Sequence, residues 1–262
     1  MAVDGSEDVN PVRYDVEGSV AIARIDRADR LNALSLEVQE RLAEVFAAVD
    51  AAPEVRVLIL TGTGRAFSAG ADIDELATNA EDAARQLRAS LRFLSAPERM
   101  RKPVIAAVNG YALGGGLELT LACDFILASE KAVFGVPEPT LGVVPGLAMQ
   151  RLPKIVGIMR AREILLTARK LSAAEAYAYG MVTRVVPHEE LLDVARSLAR
   201  DVARLGPHAV ELLKATINRN FQTDDLLFAE RANAWLFATR DAAEGIRAFR
   251  EKRAPNFGER RE

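Results

Sequence analysis

The chain has 262 residues, half of them hydrophobic, enough to bury a substantial core in one large domain or in one domain with an appendage. Its 34 basic and 37 acidic side chains are interspersed and leave a net charge of −3, so no basic stripe offers itself to nucleic acid or to an anionic membrane surface. The lone Cys123 cannot form an internal disulfide, no apolar run approaches the roughly 20 residues that cross a bilayer, and "MAVDGSEDVN" lacks the basic and apolar parts of a signal peptide. A soluble cytoplasmic protein with a disordered lead over residues 1–10 is expected.

Residues 11–25 alternate in the manner of strands, with Val12, Tyr14 and Val16 followed by Val20, Ile22 and Ile25, and Glu17-Gly18 supplying a hairpin turn. Both strands are expected at an edge of the fold. From Ser35 the period lengthens: Val38, Leu42, Val45, Phe46 and Val49 share one helical face, and Pro53 follows the end. Four continuous apolar runs, "VRVLILT" (55–61), "PVIAAVN" (103–109), "FILAS" (125–129) and "MVTRVVP" (181–187), have the character of strands covered on both faces, as in α/β proteins. Helices are predicted between them at 79–100, 116–123 and 158–179, the last with a Ser172/Glu175 capping box and Gly180 at its end. Beyond residue 188 the strand signals stop, and 189–204, 207–219, 224–239 and 241–253 are predicted as helices, the final one opened by Asp241 with Glu244 three residues on. A boundary near residue 200 separates an α/β core, 11–200, from a helical region, 201–262. The Trp235, Leu236, Phe237, Ile246 and Phe249 of that region need a surface to cover them, on the body or on another subunit.

The stretch "AVNGYALGGGLE" (107–118) places three consecutive glycines between a strand and a helix, a costly choice in ordered structure. Neither it nor "GTGRAFSAG" has the G-x-G-x-x-G or P-loop spacing of a nucleotide site, and "AFSAG" has alanine where a serine-hydrolase elbow has glycine. The two histidines, His188 and His208, sit beside prolines at helix starts and fit caps or surface positions, and no cluster of ligands suggests a metal. What remains is backbone and carboxylate chemistry. Glycines opening a helix leave N–H groups bare for an anionic oxygen, and two such turns, one in 62–76 and one in 107–118, could supply two donors to one carbonyl. Glu118 directly follows the second turn, where a carboxylate also stabilises a helix start, and Glu138 follows "FGVP", where it also suits an ordinary solvated loop. Together with two donor turns, two carboxylates make a complete set for proton transfer beside a carbonyl.

These stretches together resemble the crotonase, or enoyl-CoA hydratase/isomerase, family. The resemblance rests on "DRADRLNALS" (26–35), "GTGRAFSAGADIDEL" (62–76), "AVNGYALGGGLELTLACDFILAS" (107–129), "FGVPEPTLGVVPG" (134–146) and the closing "AFREKRAPNF" (248–257), in order over nearly the whole chain after residue 11. It implies an α/β fold, a spiral of ββα units, with a C-terminal helical region that mediates homotrimers, commonly paired into hexamers. It implies an acyl-CoA thioester substrate and no cofactor beyond that CoA. Position by position, it implies an oxyanion hole from the N–H groups of Ala71 and Gly115, and Glu118 and Glu138 as the acid/base pair. Arg27, Leu31, Ala33, Ala69, Asp72, Ile73, Leu113, Gly114, Pro137, Gly146, Phe249 and Lys252 are implied as CoA- or substrate-binding positions, the last two from the same or a neighbouring subunit.

The implied reaction is hydration of a 2-enoyl-CoA. A Δ3,Δ2-enoyl-CoA isomerase, which moves one proton between carbons, is the alternative, followed by decarboxylation or C–C cleavage on the same fold. A non-catalytic or RNA-binding relative is disfavoured by the retained glutamates and by the absence of a basic stripe. Two departures from the family pattern stand out. "PGLAMQRL" (145–152) replaces glycines that often follow the "PG", beside the acyl pocket, and Asp74 stands where some members place a lysine toward CoA, leaving Arg27, Arg30 or Arg65 for a phosphate contact.

Overall fold

The computed structural model describes residues 10–77, 79–219, 234 and 237–255. The predicted hairpin forms β1 (Val12–Glu17) and β2 (Val20–Ile25), paired antiparallel. α1 (Leu36–Ala51) then starts at Ser35, whose side chain accepts from Val38 N, and buries Val38, Leu42, Phe46 and Val49.

Three similar units follow, each a long strand, a three-residue strand and a helical segment. The first is β3 (Val57–Gly62), β4 (Ala66–Ser68), α2 (Ala80–Leu94) and the short α3 (Ala96–Arg99). The second is β5 (Val104–Val108), β6 (Tyr111–Leu113) and α4 (Gly115–Leu121). The third is β7 (Phe125–Ser129), β8 (Val133–Gly135), a 3-10 turn at Glu138–Leu141, α5 (Ala148–Val156) and α6 (Ile158–Thr167). After them come β9 (Leu171–Ser172), α7 (Ala173–Ala178), β10 (Arg184–Val186), α8 (Leu191–Ala203), α9 (Pro207–Asn218) and α10 (Arg240–Arg250).

The long strands, with the three-residue β10, make one sheet in the order β1-β2-β3-β5-β7-β10, parallel from β2 onward, and the other short ones a second sheet in the order β4-β6-β8-β9. This is the expected spiral of ββα units. One face of the larger sheet joins the main core with α1, α4 and α5, and its other face, through Ile22, Ile59, Ile105 and Leu127, is covered by Leu191, Ala195 and Ala199 of α8. The runs at 55–61, 103–109 and 125–129 are continuous because both faces of β3, β5 and β7 are buried, whereas the run at 181–187 forms β10, whose Arg184 is exposed and whose Val185 and Val186 are half-buried at the far edge of the sheet, so its expected cover on both faces is corrected.

Several expectations are corrected. Of the two hairpin strands only β1 lies at an edge, since β2 also pairs with β3. The helix predicted over 158–179 is three elements, interrupted by Ala168 at φ +52° and by β9, while the capping box at Ser172 is present. α10 is opened by Thr239, whose side chain accepts from Ala242 N, and not by Asp241. The boundary expected at residue 200 falls inside α8, which packs on the sheet. Residues 1–9, most of the helix expected at 224–239 with Trp235 and Leu236, and the end of "AFREKRAPNF" lie outside the described residues. No helix among the described residues is long and apolar enough to cross a membrane.

Candidate active site

The segments that follow β2, β4, β6 and β8 converge on a cavity of about 930 Å³, within the usual range for a small-molecule site. One wall begins at the loop after β2. Leu31 and Asn32 both hold left-handed backbone, at φ +52° and +56°, a conformation that non-glycine residues rarely adopt without support. The support comes from Asn32, fully buried, whose Oδ1 accepts from Arg27 N (2.9 Å) and whose Nδ2 donates to the carbonyls of Thr63 (2.9 Å) and Ala66 (2.7 Å). In this shape the loop joins residues 69–71: Ala69 N–H donates to Leu31 O at 3.0 Å and Leu34 N–H to Gly70 O at 2.8 Å. Leu31, Ala33, Ala69, Ala71, Asp72 and Ile73 all face the cavity as a result.

Arg27 does not. Its guanidinium donates to Asp72 (3.0 Å) and to Ala33 O (3.2 Å) and so braces the loop. Arg65 is also absent from the wall, whereas Arg30 is on it, paired with Asp74 at 3.1 Å. Asp74, standing in place of a lysine, is thus met by a cation of its own chain.

The glycine run forms the opposite turn. Gly114 has φ +53° and ψ −128°, and a carbon built on it in the position of a side chain would lie 2.8 Å from Oε1 of Glu138. Gly116 touches the backbone of β4, where the same carbon would meet Ser68 O at 2.3 Å. Between them, Gly115 lines the cavity as the first residue of α4. A carbon built on Gly115 would be 3.8 Å from the Ala71 nitrogen, so the two residues are neighbours on the cavity wall, and among the described residues neither amide donates to a protein acceptor. Unengaged N–H groups set together in this way are suited to an oxygen that gains negative charge.

Glu118, on the first turn of α4, is buried, and its Oε1 accepts from Leu147 N (2.5 Å) and Ala148 N (2.8 Å) at the start of α5. Burial raises its pKa, against the lowering effect of these backbone donors. Glu138 is held by Pro139 and by the 3-10 turn that its own carbonyl closes, accepting from Val143 N at 3.2 Å. Its Oε2 is buried and finds no hydrogen-bond partner among the described residues. Burial first, and the charge of Glu118 second, push the Glu138 carboxyl up to about 8. A carboxylic acid that stays protonated near neutrality beside one anchored by N–H donors is the pairing expected of an acid and a base that act in one step.

Leu113, Gly114, Pro137 and Gly146 line the cavity beside the two glutamates, and Phe249 and Lys252 line it from α10 and the residues just after it. Several wall residues carry no sequence motif: Gln39 on α1, Leu87, Ser90, Phe93 and Leu94 on α2, and Lys170 before β9. The helical periodicity of 79–100 marks the α2 leucines as apolar, without distinguishing a pocket wall from core. Among the described residues no group of three or more His, Cys, Asp or Glu is placed to hold a metal ion.

Comparison with known proteins extends this geometry. The family profile described as enoyl-CoA hydratase/isomerase matches residues 15–260. A crotonyl-CoA hydratase of Syntrophomonas wolfei is 42% identical over 247 residues, covering 92% of this chain and 95% of that protein. The crystal structure of an enoyl-CoA hydratase from Bacillus anthracis superposes with a TM-score of 0.78 at 39% identity, over 94% of this chain and 98% of that one. A monofunctional enoyl-CoA isomerase from M. smegmatis has a TM-score of 0.71 at 32% identity, over 85% and 98%. With both glycine turns, both glutamates and the spiral in place over nearly its whole length, the chain belongs to the enoyl-CoA hydratase/isomerase family.

Proposed function

We propose that the protein hydrates the 2,3 double bond of a 2-enoyl-CoA thioester, with Ala71 and Gly115 as the oxyanion hole and Glu118 and Glu138 as the proton-handling pair. The observation that carries the proposal is the pair itself: one buried carboxylate anchored by Leu147 and Ala148 N–H groups, the other with a free buried oxygen, both beside two unengaged amides. Two carboxyls that repel each other at a largely buried site do not both ionise readily, so the pair holds one proton near neutral pH. We assign that proton to Glu138, because the amides at the start of α5 favour negative charge on Glu118. Water then adds to the β-carbon and gives its proton to Glu118, the π electrons move onto the thioester oxygen as an enolate, and Glu138 delivers its proton to the α-carbon. Proton transfer from Glu118 back to Glu138 restores the site. The substrate's CoA lies along Leu31, Ala33, Ala69, Asp72 and Ile73 toward Phe249 and Lys252, and no other group enters the reaction.

Incubation with crotonyl-CoA, followed by loss of the conjugated thioester absorbance, tests the proposal. Turnover is expected, with Glu118→Gln and Glu138→Gln each lowering kcat by roughly 10²–10⁴ while binding of a saturated acyl-CoA persists. Inertness toward every 2-enoyl-CoA, with conversion of a 3-enoyl-CoA, would replace the hydratase by the isomerase.

A further inference from the structure

The helix α10 lies across the 3-10 turn that carries Glu138, and the contact is made by a glycine. Gly245 is buried, between the equally buried Ala242 and Ala248 on the inner face of the helix. A carbon built on Gly245 would stand 2.5 Å from both the carbonyl carbon and the oxygen of Leu141, and 2.8 Å from its α-carbon. Those atoms are backbone, so no side chain can swing aside. Any residue with a Cβ at 245 must push α10 and the turn apart.

The turn transmits such a push. Leu141 is its last residue, and Glu138 its first, and between them Thr140 N–H donates to Pro137 O (2.9 Å), Gly142 N–H to Pro139 O (3.2 Å) and Val143 N–H to Glu138 O (3.2 Å). Pro139 removes one backbone torsion from the same four residues. The side that Glu138 presents to the cavity is set just as closely, with Oε1 over Gly114. At its far end α10 reaches the other wall, where the Arg250 guanidinium donates to Ile73 O at 3.2 Å, next to the Asp72 and Ala71 segment. One helix therefore touches the segment of the acid on one side and that of an oxyanion donor on the other.

We propose that Gly245 is a positioning residue for the reaction: its lack of a side chain lets α10 seat directly on the Leu141 backbone and so holds the Glu138 carboxyl at the distance from the substrate α-carbon that proton delivery needs. This rests on the hydratase reading above. The chemistry is sensitive to that distance, because a displacement of about 1 Å can cost on the order of 10²-fold in rate.

The test is Gly245→Ala in the full-length protein, assayed on crotonyl-CoA beside the wild type. The expected result is a kcat lower by about 10²-fold, with affinity for a saturated acyl-CoA within a few-fold of wild type and faster amide exchange at Gly142 and Val143. Wild-type kcat in this variant overturns the proposal, as does equal loss of kcat and acyl-CoA affinity, which would signal general damage. Should Gly245→Ala fail to fold, Arg250→Ala, which removes the donation to Ile73 O at the far end of α10 from a residue that also lines the cavity, is expected to lower kcat several-fold, beyond any change in saturated acyl-CoA affinity, and to speed exchange at the same two amides; an unchanged kcat and exchange pattern, or a loss confined to affinity, overturns it. Failure of the hydratase reading is recognised separately, since the wild type itself would then leave 2-enoyl-CoA untouched.

Discussion

Glu138 has a cost in the folded protein that follows from the same burial that makes it useful. Its ordinary pKa of 4.5 rises to about 8 on folding, so between those values the folded chain keeps a proton that the unfolded chain has lost. Stability must then fall as pH rises from about 4.5 to about 8, and Glu118, also raised, adds to the slope in the same direction. Urea unfolding at about pH 5 and about pH 8 measures this, and Glu138→Gln, which cannot lose a proton, is expected to be the more stable protein at the higher pH and to flatten the slope. The wild-type rate is expected to decline as pH passes about 8, where the free enzyme loses the proton that Glu138 delivers. A Glu138→Gln slope no flatter than that of the wild type would show Glu138 to be ionised in the folded state. Asn32 is the contrasting case: where Glu138 buries an Oε2 without a partner among the described residues, Asn32 is fully buried with its hydrogen bonds to protein made, and it acts on the site through the shape of the loop it fills.

At the scale of elements, the attachment of α9 centres on one ion pair, beside a hydrogen bond from Asn218 Nδ2 to Glu98 O (3.0 Å). Lys214, buried on α9, directs its ammonium to Asp124 Oδ2 (2.7 Å), Pro97 O (2.7 Å) and Lys102 O (2.9 Å), using all three donors to fasten the helix to α3 and to the segments before β5 and β7. Asp124 in turn accepts from Val104 N at 2.8 Å. Replacing both charges together need not be costly, but Lys214→Met alone leaves a buried carboxylate without its cation and is expected to destabilise the protein by roughly 3–5 kcal/mol. Denaturant midpoints of Lys214→Met and of Lys214→Met with Asp124→Leu measure the difference, the double variant recovering part of the loss. The same attachment explains why the helical region does not begin where the composition shifts: α8 covers the outer face of the sheet and α9 is bound to the body by side-chain chemistry.

Across the whole molecule, α9 presents Leu212, Leu213 and Ile217 at 60–68% exposure, together with Leu205 just before it. An apolar row of this kind on the outward face of a firmly attached helix is suited to burial against another subunit. We propose that this face joins copies of the chain into the trimer that the family resemblance implies. Light scattering coupled to size exclusion is expected to report a trimer or a hexamer for the wild type, and Leu213→Glu a smaller species; a monomeric wild type would remove the proposal.

Much of this protein was legible in its residues. The strands β3, β5 and β7 are visible as apolar runs because both of their faces are buried, and α1 and the capping box at Ser172 because helical period and capping chemistry are local. The glycines and the two glutamates could be picked out as candidates because bare amides and paired carboxylates are chemistry that sequence displays directly. The short strands β4, β6 and β8 could not, since three residues hold no period, and neither could α5, which contains Pro153. The reach of Arg27 toward Asp72, the anchoring of Glu118 by Leu147 and Ala148, the burial that lifts Glu138, and the seating of α10 on Leu141 were decided only by the tertiary structure. Each of them depends on distances between residues far apart in the chain, and on water being excluded from between them, which no local pattern of side chains encodes.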